Sequence, residues 1–422
     1  MAAILCSTTP EILFIDMNAF FASVEQQEVP AYRNSPIGVV PMLTDTTCIL
    51  SASYEARRFG IKTGTSVAEA KTRCPGIQIV VARPKRYVVY HEKLVEVLNH
   101  YFATINVLSI DEMACVLSPK QKQEKTFASL VCKIKAQIKK DLGQSMLASI
   151  GIGPNVFLAK VAAEVKKPDG FTVFQGDYTS LLFKCSLRDL PGIGPRMEIR
   201  LRQHGILTVE ELWNASPRKL HQIWGGVVGD RWYYMLRGNL ATDYGMQDDA
   251  PKKSVSQSHV LPPKFRTVQG SRDIAFRLTS KALRRLRSYA QAAKKMSLAI
   301  KYRKAGAYRD KQVWHVEIRL DCYSNSDLTW IPRVDQELKQ MPSLADYNPT
   351  QVILSFYDLA PHGYQQITLF SAPLRNDENL FQAIDAINAK NGHRVGLACV
   401  YNLQQESPYR ISFGQPHDRK VG

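Results

Sequence analysis

Three carboxylates in this chain could act together: Asp16, and the adjacent pair Asp111 and Glu112. Asp16 ends the run EILFID, whose β-branched and aromatic residues read as a short buried strand. Asp111 and Glu112 lie between two further strand-like runs, INVLSI and MACVL. Carboxylates gathered at the ends of neighbouring strands repel one another and stay ionised only beside cations. Oxygen-ligated divalent ions are the natural counter-charge, and Mg²⁺ commonly takes one or two carboxylates together with substrate phosphates. The chemistry this predicts is phosphoryl transfer assisted by two Mg²⁺ ions. An Asp-Glu dipeptide in isolation is ordinarily an exposed acidic turn, and successive strand residues face opposite sides of a sheet. The pair must therefore sit at a turn or strand end to act with Asp16. A triphosphate beside two ions needs cations and hydroxyl donors on its outer oxygens. Tyr54 and Arg57 in SYEARR and Lys167 in AAEVKKPDG have that chemistry, though spacing alone does not bring them together.

Which elements would position these groups can be read from periodicity. After Asp16, AFFASVEQQ carries Phe20, Phe21 and Val24 at helical spacing. Residues 36 to 82 alternate strand-like runs, IGVVPML and TTCILSAS, with helical pieces, YEARRFG and SVAEAKTRC, and read as a small inserted α/β unit. Val88, Val95 and Leu98 mark a helix between Tyr87 and Phe102, and Phe127, Leu130, Val131, Ile134 and Ile138 form another apolar stripe. MLASIGIG then predicts a strand before a helix from Val156 to Val165. Strand, helix, two strands, helix, strand is the order of a ferredoxin-like sheet with helices on one face, split here after its first strand. A helical module over about 175–240 follows, opened by Pro191-Gly192-Ile193-Gly194. That turn is the signature of a helix-hairpin-helix, in which Gly192 and Gly194 would let backbone N–H groups approach a phosphate. IWGGVVGDRWYYMLRG reads as a degenerate second copy, and TDYGMQDDAP as a polar linker. Beyond it, a helix over about 273–293 and strands near 296–303, 312–321 and 351–358 predict another α/β domain, and the residues after Pro361 a weakly structured tail.

The charge is concentrated in that second domain. The 422 residues carry a formal net charge of +17, and residues 252–321 hold 18 Lys+Arg against 4 Asp+Glu, a local excess of +14. The remaining 352 residues carry 37 against 34, or +3. A solvated basic face seldom holds most of a protein's net charge, so the stretch reads as a polyanion-binding module, with nucleic acid the favoured partner. The length predicts two to four domains. No apolar run approaches a membrane span and the first ten residues lack a signal-peptide pattern, so the expected location is cytoplasmic, with no membrane partner. The eight cysteines lie far apart without a C-x-x-C pair, which disfavours a zinc site.

The strings DMNAFFASVE, SASYEARRFGIKTG, SIDE, IGIGPNVFLAKVAAEVKKPDG and LPGIGP, in this order, make the chain resemble the Y-family, or translesion, DNA polymerases over roughly residues 11–260. The resemblance implies an α+β right-hand architecture. Its ferredoxin-like palm would span 11–20 and 83–172, small fingers 21–82, and a helix-hairpin-helix thumb 173–240. After a linker over 241–251, a little finger would span 252–359 and a tail 360–422. By the same resemblance Asp16, Asp111 and Glu112 bind two Mg²⁺ ions, with the Met17 carbonyl in one metal site. Tyr54, Arg57 and Lys167 hold the incoming deoxynucleoside triphosphate. Phe21 matches the steric gate under the sugar, while Phe20 reads as a core aromatic. Gly192, Gly194, Lys252 and Lys253 would grip primer-template DNA through phosphates. In the tail, Gln366, Leu369 and Phe370 fit the Q-x-x-L-F peptide with which bacterial polymerases dock on a sliding clamp. The resemblance also admits accessory subunits or a recombinase filament as partners. FQAIDAINAKNGHRVGLA is similar to the end of the polymerase V catalytic subunit, whereas Phe21 and VEQQ are closer to polymerase IV. An inert adaptor would lack one or more carboxylates, and a nuclease would have no use for the Tyr54-Arg57-Lys167 set.

Overall fold

The computed structural model describes residues 7–45, 47–122, 124–239, 252–304, 310–342, 344, 346–361, 378–391 and 395–397. They form two compact units divided between residues 248 and 249.

In the first unit, β1 (Ile12–Met17) and α1 (Phe20–Glu28) precede an insert made of β2 (Ile37–Val40), β3 (Ser51–Ala52), α2 (Tyr54–Arg57), α3 (Val67–Arg73) and β4 (Gln78–Val81). The chain returns through α4 (Pro84–Asn99), β5 (Ile105–Val107), β6 (Glu112–Val116), α5 (Glu124–Asp141), β7 (Ala148–Gly153), α6 (Val156–Val165) and β8 (Phe171–Val173). The main sheet has the order β5-β6-β1-β7-β8, with β1 antiparallel to β6 and β7, and β8 added at the edge parallel to β7. Without β8 this is the expected ferredoxin-like order.

Every residue of β1 is buried, because the strand is covered on both sides. Leu13, Ile15 and Met17 face a core shared with α4 and α5, as period-two alternation requires. Ile12 and Phe14 face the other way and pack with Ala114 against Val156, Ala159 and Ala163 of α6. The expectation of helices on one face is thus corrected: α6 covers the opposite face. Gly151 and Gly153 of β7 make this possible, since a Cβ at Gly151 would lie 2.0 Å from the Ala159 carbonyl oxygen. Helix and sheet meet backbone to backbone there.

The insert builds its own sheet, β3-β2-β4, over a small core that includes Val40, Ile49, Ala56, Ile61 and Val67. Of TTCILSAS only Ser51–Ala52 is strand, because Ile49 donates its N–H to Thr65 and Thr47 accepts from the Val67 N–H instead of joining a ladder. After β8 come α7 (Thr179–Leu182), α8 (Pro195–Gln203), α9 (Val209–Asn214), α10 (Pro217–Trp224) and α11 (Val227–Leu236). Their core holds Leu190, Ile193, Leu201, Leu212, Leu220 and Trp232.

The second unit contains β9 (Ser254–Val260), α12 (Val268–Ser288), β10 (Gln291–Lys304), β11 (Lys311–Ser324), α13 (Asp327–Lys339), β12 (Tyr347–Pro361) and α14 (Glu378–Asn391). Its antiparallel sheet runs β11-β10-β12-β9, and Met296, Leu298, Ile300, Val352, Leu354 and Phe356 pack with α12 and α13. α12 begins about five residues earlier than expected because the Thr267 side chain caps it, accepting from the Gly270 N–H at 2.9 Å. It ends earlier too, as Ala290 takes a φ of 50° and turns the chain into β10. β9 and α13 were not anticipated. The tail reading is also corrected: α14 is an ordered helix held by the buried Phe381 and by an Asp385 ion pair to Arg287. Gln366, Leu369 and Phe370 lie outside the described residues.

Candidate active site

β1 and β6 are in register with Asp16 opposite Glu112, so the two carboxylates emerge on one face, the face that α6 covers. Asp111 is the residue before β6 begins. It sits in the tight turn joining β5 to β6, where the Ser109 hydroxyl donates to Asp111 Oδ1 at 2.5 Å and accepts from the Glu112 N–H at 3.0 Å. The geometric objection to the adjacent pair is thereby met, since the turn frees Asp111 from strand alternation. Asp111 also accepts the Met17 N–H on its carbonyl at 3.0 Å, tying the turn to the end of β1.

Two lysines answer the carboxylates. Lys167 donates from Nζ to Asp16 at 2.7 Å and to Glu164 at 2.5 Å, and Lys160 contacts both oxygens of Glu112 at 2.7 Å. Among the described residues no three His, Cys, Asp or Glu side chains form a ready-made metal cage. Burial pushes the Asp16 carboxyl up to about 7; Lys167 opposes this, and Asp111 and Glu112 add to it. Burial also raises Asp111, against the Ser109 hydrogen bond and with the Glu112 charge. Burial would lower Lys167, but the charges of Asp16 and Glu164 outweigh it and hold its ammonium above the usual range.

Tyr54 and Arg57 come from α2, which starts at a Ser53 cap. The Arg57 guanidinium lies 4.6 Å from the centre of the Tyr54 ring and donates to the Ala52 carbonyl. The Tyr54 hydroxyl is buried with no hydrogen-bond partner among the described residues, and the charges of Arg57, Lys167, Asp16 and Glu164 act on it. Tyr54, Arg57, Lys167 and Asp16 therefore converge, as spacing could not show. Phe20 is core, whereas Phe21 is half-buried and stacks on Tyr87 with ring centres 4.5 Å apart.

Several supporting residues escaped the sequence reading. Lys160 is one of them, since its partner Glu112 lies 48 positions away and no local pattern links the two. His91, buried on α4, hydrogen-bonds the Ile110 carbonyl at 2.7 Å and so pins the Asp111 turn. Asn18 accepts the Asp169 N–H at 2.8 Å, fixing the loop that carries Lys167. Tyr87 donates to the buried Glu25 at 2.7 Å, and Arg83 grips the same carboxylate. Such contacts join residues up to 151 positions apart, which no local pattern reports.

Gly192 takes a φ of 98°, which suits glycine in the hairpin turn, and Gly194 caps α8. The second hairpin, Gly225-Gly226, separates α10 from α11. In the second unit Lys252 lies on the Tyr289 ring and Lys253 is exposed. Alternation places Lys295, Lys301, Arg303, Lys311 and Arg319 on the sheet face opposite α12. Arg284 and Arg285 belong to α12 on the other side, and so do not share that surface.

The sequence profile of the impB/mucB/samB family matches residues 15–164, that of its C-terminal domain residues 252–369, and that of the DNA polymerase-iota thumb domain residues 188–239. A DNA polymerase IV of Moorella thermoacetica is 31% identical over 70% of this chain and 74% of its own length. Another, from Pelotomaculum thermopropionicum, is 30% identical over 92% of this chain and 94% of its own. The chain belongs to the Y-family of DNA polymerases. Its fold agrees with that of a Y-family DNA polymerase chimera of Dbh and Dpo4, with a TM-score of 0.67 at 21% identity, covering 82% of this chain and 98% of the other. It is accordingly a DNA-directed DNA polymerase of the translesion type, acting on DNA and nucleotides, in a family that is generally metal-dependent. No helix among the described residues is long and apolar enough to cross a membrane.

Proposed function

We propose that the chain lengthens primers past damaged template bases, with Asp16, Asp111 and Glu112 and the Met17 carbonyl holding two Mg²⁺ ions. The observation that carries this is the register of Asp16 with Glu112 beside the Asp111 turn, on the face that also receives Lys167. The donor set fits: hard oxygens, more carboxyl groups than lysine partners, and a Tyr54 hydroxyl, unpartnered among the described residues, where a phosphate oxygen would accept. When bound, the ions supply charge stabilisation for the attacking and leaving oxygens of an in-line displacement.

Each of the chain's own groups has a defined part. Arg57 and the Tyr54 hydroxyl donate to the outer triphosphate oxygens, and Lys167 leaves Asp16 to join them. Phe21, braced by Tyr87, lies beneath the sugar and excludes a 2′-hydroxyl. Gly192 and Gly194 offer backbone N–H groups to a phosphate, and Lys252 and Lys253 add charge, so the grip on primer-template is independent of sequence. Gln366, Leu369 and Phe370 dock on the sliding clamp, and the enzyme works in the cytoplasm, with accessory subunits or a recombinase filament as further partners. The domain limits of palm, fingers, thumb and little finger follow those stated from the resemblance. Primer extension with one labelled nucleotide on damaged and undamaged templates, using wild type and Asp111→Ala, tests the assignment. Extension by the wild type alone supports it; equal extension by the variant removes Asp111 from the site.

A further inference from the structure

The lysines at the carboxylates are unequal in kind. Lys167 shares its ammonium between Asp16 and Glu164, while Lys160 gives both of its short contacts to the two oxygens of Glu112. Lys160 and Glu112 are each about four-fifths buried, with side chains 19% and 22% exposed. The Lys160 ammonium also lies 5.5 Å from the centre of the Phe14 ring, which is fully buried on the neighbouring strand. It is therefore seated by the sheet as well as by the carboxylate, and close packing of α6 on Gly151 and Gly153 delivers it there. Among the described residues Lys160 pairs with Glu112, and Lys167 with Asp16 and Glu164, while Asp111 is held by the Ser109 hydroxyl, so four carboxyl groups face two lysines and leave room for a divalent ion. A cation capping both oxygens of Glu112 stands where that ion must bind. It also prevents Glu112 from being a buried, unpaired charge, which would be costly.

We propose that Lys160 is a positioning residue that serves as a place-holding counter-ion, neutralising Glu112 in the metal-free enzyme and yielding it to an arriving divalent cation. The inference rests on the reading of Glu112 as a metal ligand. If Lys160 must be displaced, removing its charge strengthens metal binding even as it weakens the metal-free fold. A lysine that merely tied α6 to β6, or that aligned Glu112 for the metal, would not have this combined effect.

The test titrates the full chain with Mn²⁺, without DNA or nucleotide, following the free-ion electron paramagnetic resonance signal. Lys160→Met is expected to bind Mn²⁺ about tenfold tighter than wild type, the low end of what a hydrogen bond to a charged group contributes. Lys160→Gln should move the same way, and Lys160→Arg should stay nearer wild type. Without metal, Lys160→Met should melt below wild type, with saturating Mn²⁺ closing the gap. Unchanged or weaker Mn²⁺ binding in both neutral variants overturns the proposal, as does a melting gap that Mn²⁺ leaves in place. Glu112→Ala separates the underlying reading: it should lose a bound ion, and a full complement of Mn²⁺ in that variant would refute Glu112 as a ligand whatever Lys160 does.

Discussion

With its carboxyl pushed up to about 7 by burial, Asp16 holds a proton through the mildly acidic range in the absence of metal. Its folded value lies above the ordinary 3.8, so the folded chain binds this proton more tightly than the unfolded one. The stability it contributes is complete below about pH 4 and is lost as pH rises toward about 7. A divalent ion must displace the same proton, so Mg²⁺ affinity should rise with pH across neutrality. Calorimetric titrations at about pH 6 and pH 8 are expected to show weaker binding at the lower value, and an Asp16→Asn variant should lose most of the difference. Phe21 belongs to the same scale. Phe21→Ala should raise incorporation of ribonucleotides relative to deoxynucleotides by roughly 10–200-fold, the range open to shape discrimination in an apolar pocket. Competition assays with paired nucleotides measure this, and unchanged discrimination would leave the ring a packing role beside Phe20 and Tyr87. Both residues were legible in the sequence, Asp16 as a carboxylate closing an apolar strand and Phe21 through the family motif. The proton on Asp16 was not, because it depends on burial under α6.

Among the elements, the α6–β7 contact governs the site. A Cβ at Gly151 would sit 2.0 Å from the Ala159 oxygen and 2.3 Å from the Ala163 nitrogen, both backbone atoms that cannot rotate away. Gly151→Ala must therefore push α6 off the sheet, costing about 1–3 kcal/mol as overpacking and shifting the Lys167 segment that follows α6 away from Asp16. Thermal melting should fall and primer extension should collapse. Gly76→Ala is the matched control, since a Cβ there meets nothing within 4 Å and the residue has no positive φ. MLASIGIG was legible as a strand. That its glycines serve close packing against a helix was not, because the partner backbone lies beyond any local window.

On the scale of the whole molecule, the net charge of +17 is held mostly by the second unit, where the fold divides it between two surfaces. Lys301, Lys311 and Arg319 are exposed on the open sheet face, whereas Arg287 is consumed by a buried pair with Asp327 and Asp385. Reversing Lys301 and Arg319 to Glu should weaken primer-template binding equally on every template sequence. It should also flatten the log-log salt slope by roughly 0.9 for each phosphate that is no longer neutralised. Arg287→Ala should instead lower thermal stability, because it leaves two carboxylates without their cation. Fluorescence anisotropy across a salt series, with melting curves on the same samples, distinguishes the two.

The sequence by itself determined the order of strands and helices around Asp16, Asp111 and Glu112, the hairpin turn at Gly192, and the concentration of positive charge after residue 251, because each is a matter of local spacing or composition. Residue pattern also predicted the central strands of the main sheet, β1 and β7, both of which are buried along their whole length. The tertiary structure decided the rest. It set Asp16 opposite Glu112 through strand register, put α6 on the second face through glycine contact, and turned Lys160 and Lys167 onto the carboxylates. It also sorted the cations of the second unit into paired and outward-facing sets. These are relations between segments tens to more than a hundred residues apart, and only the folded chain brings such segments within the few ångströms at which register, packing and charge act.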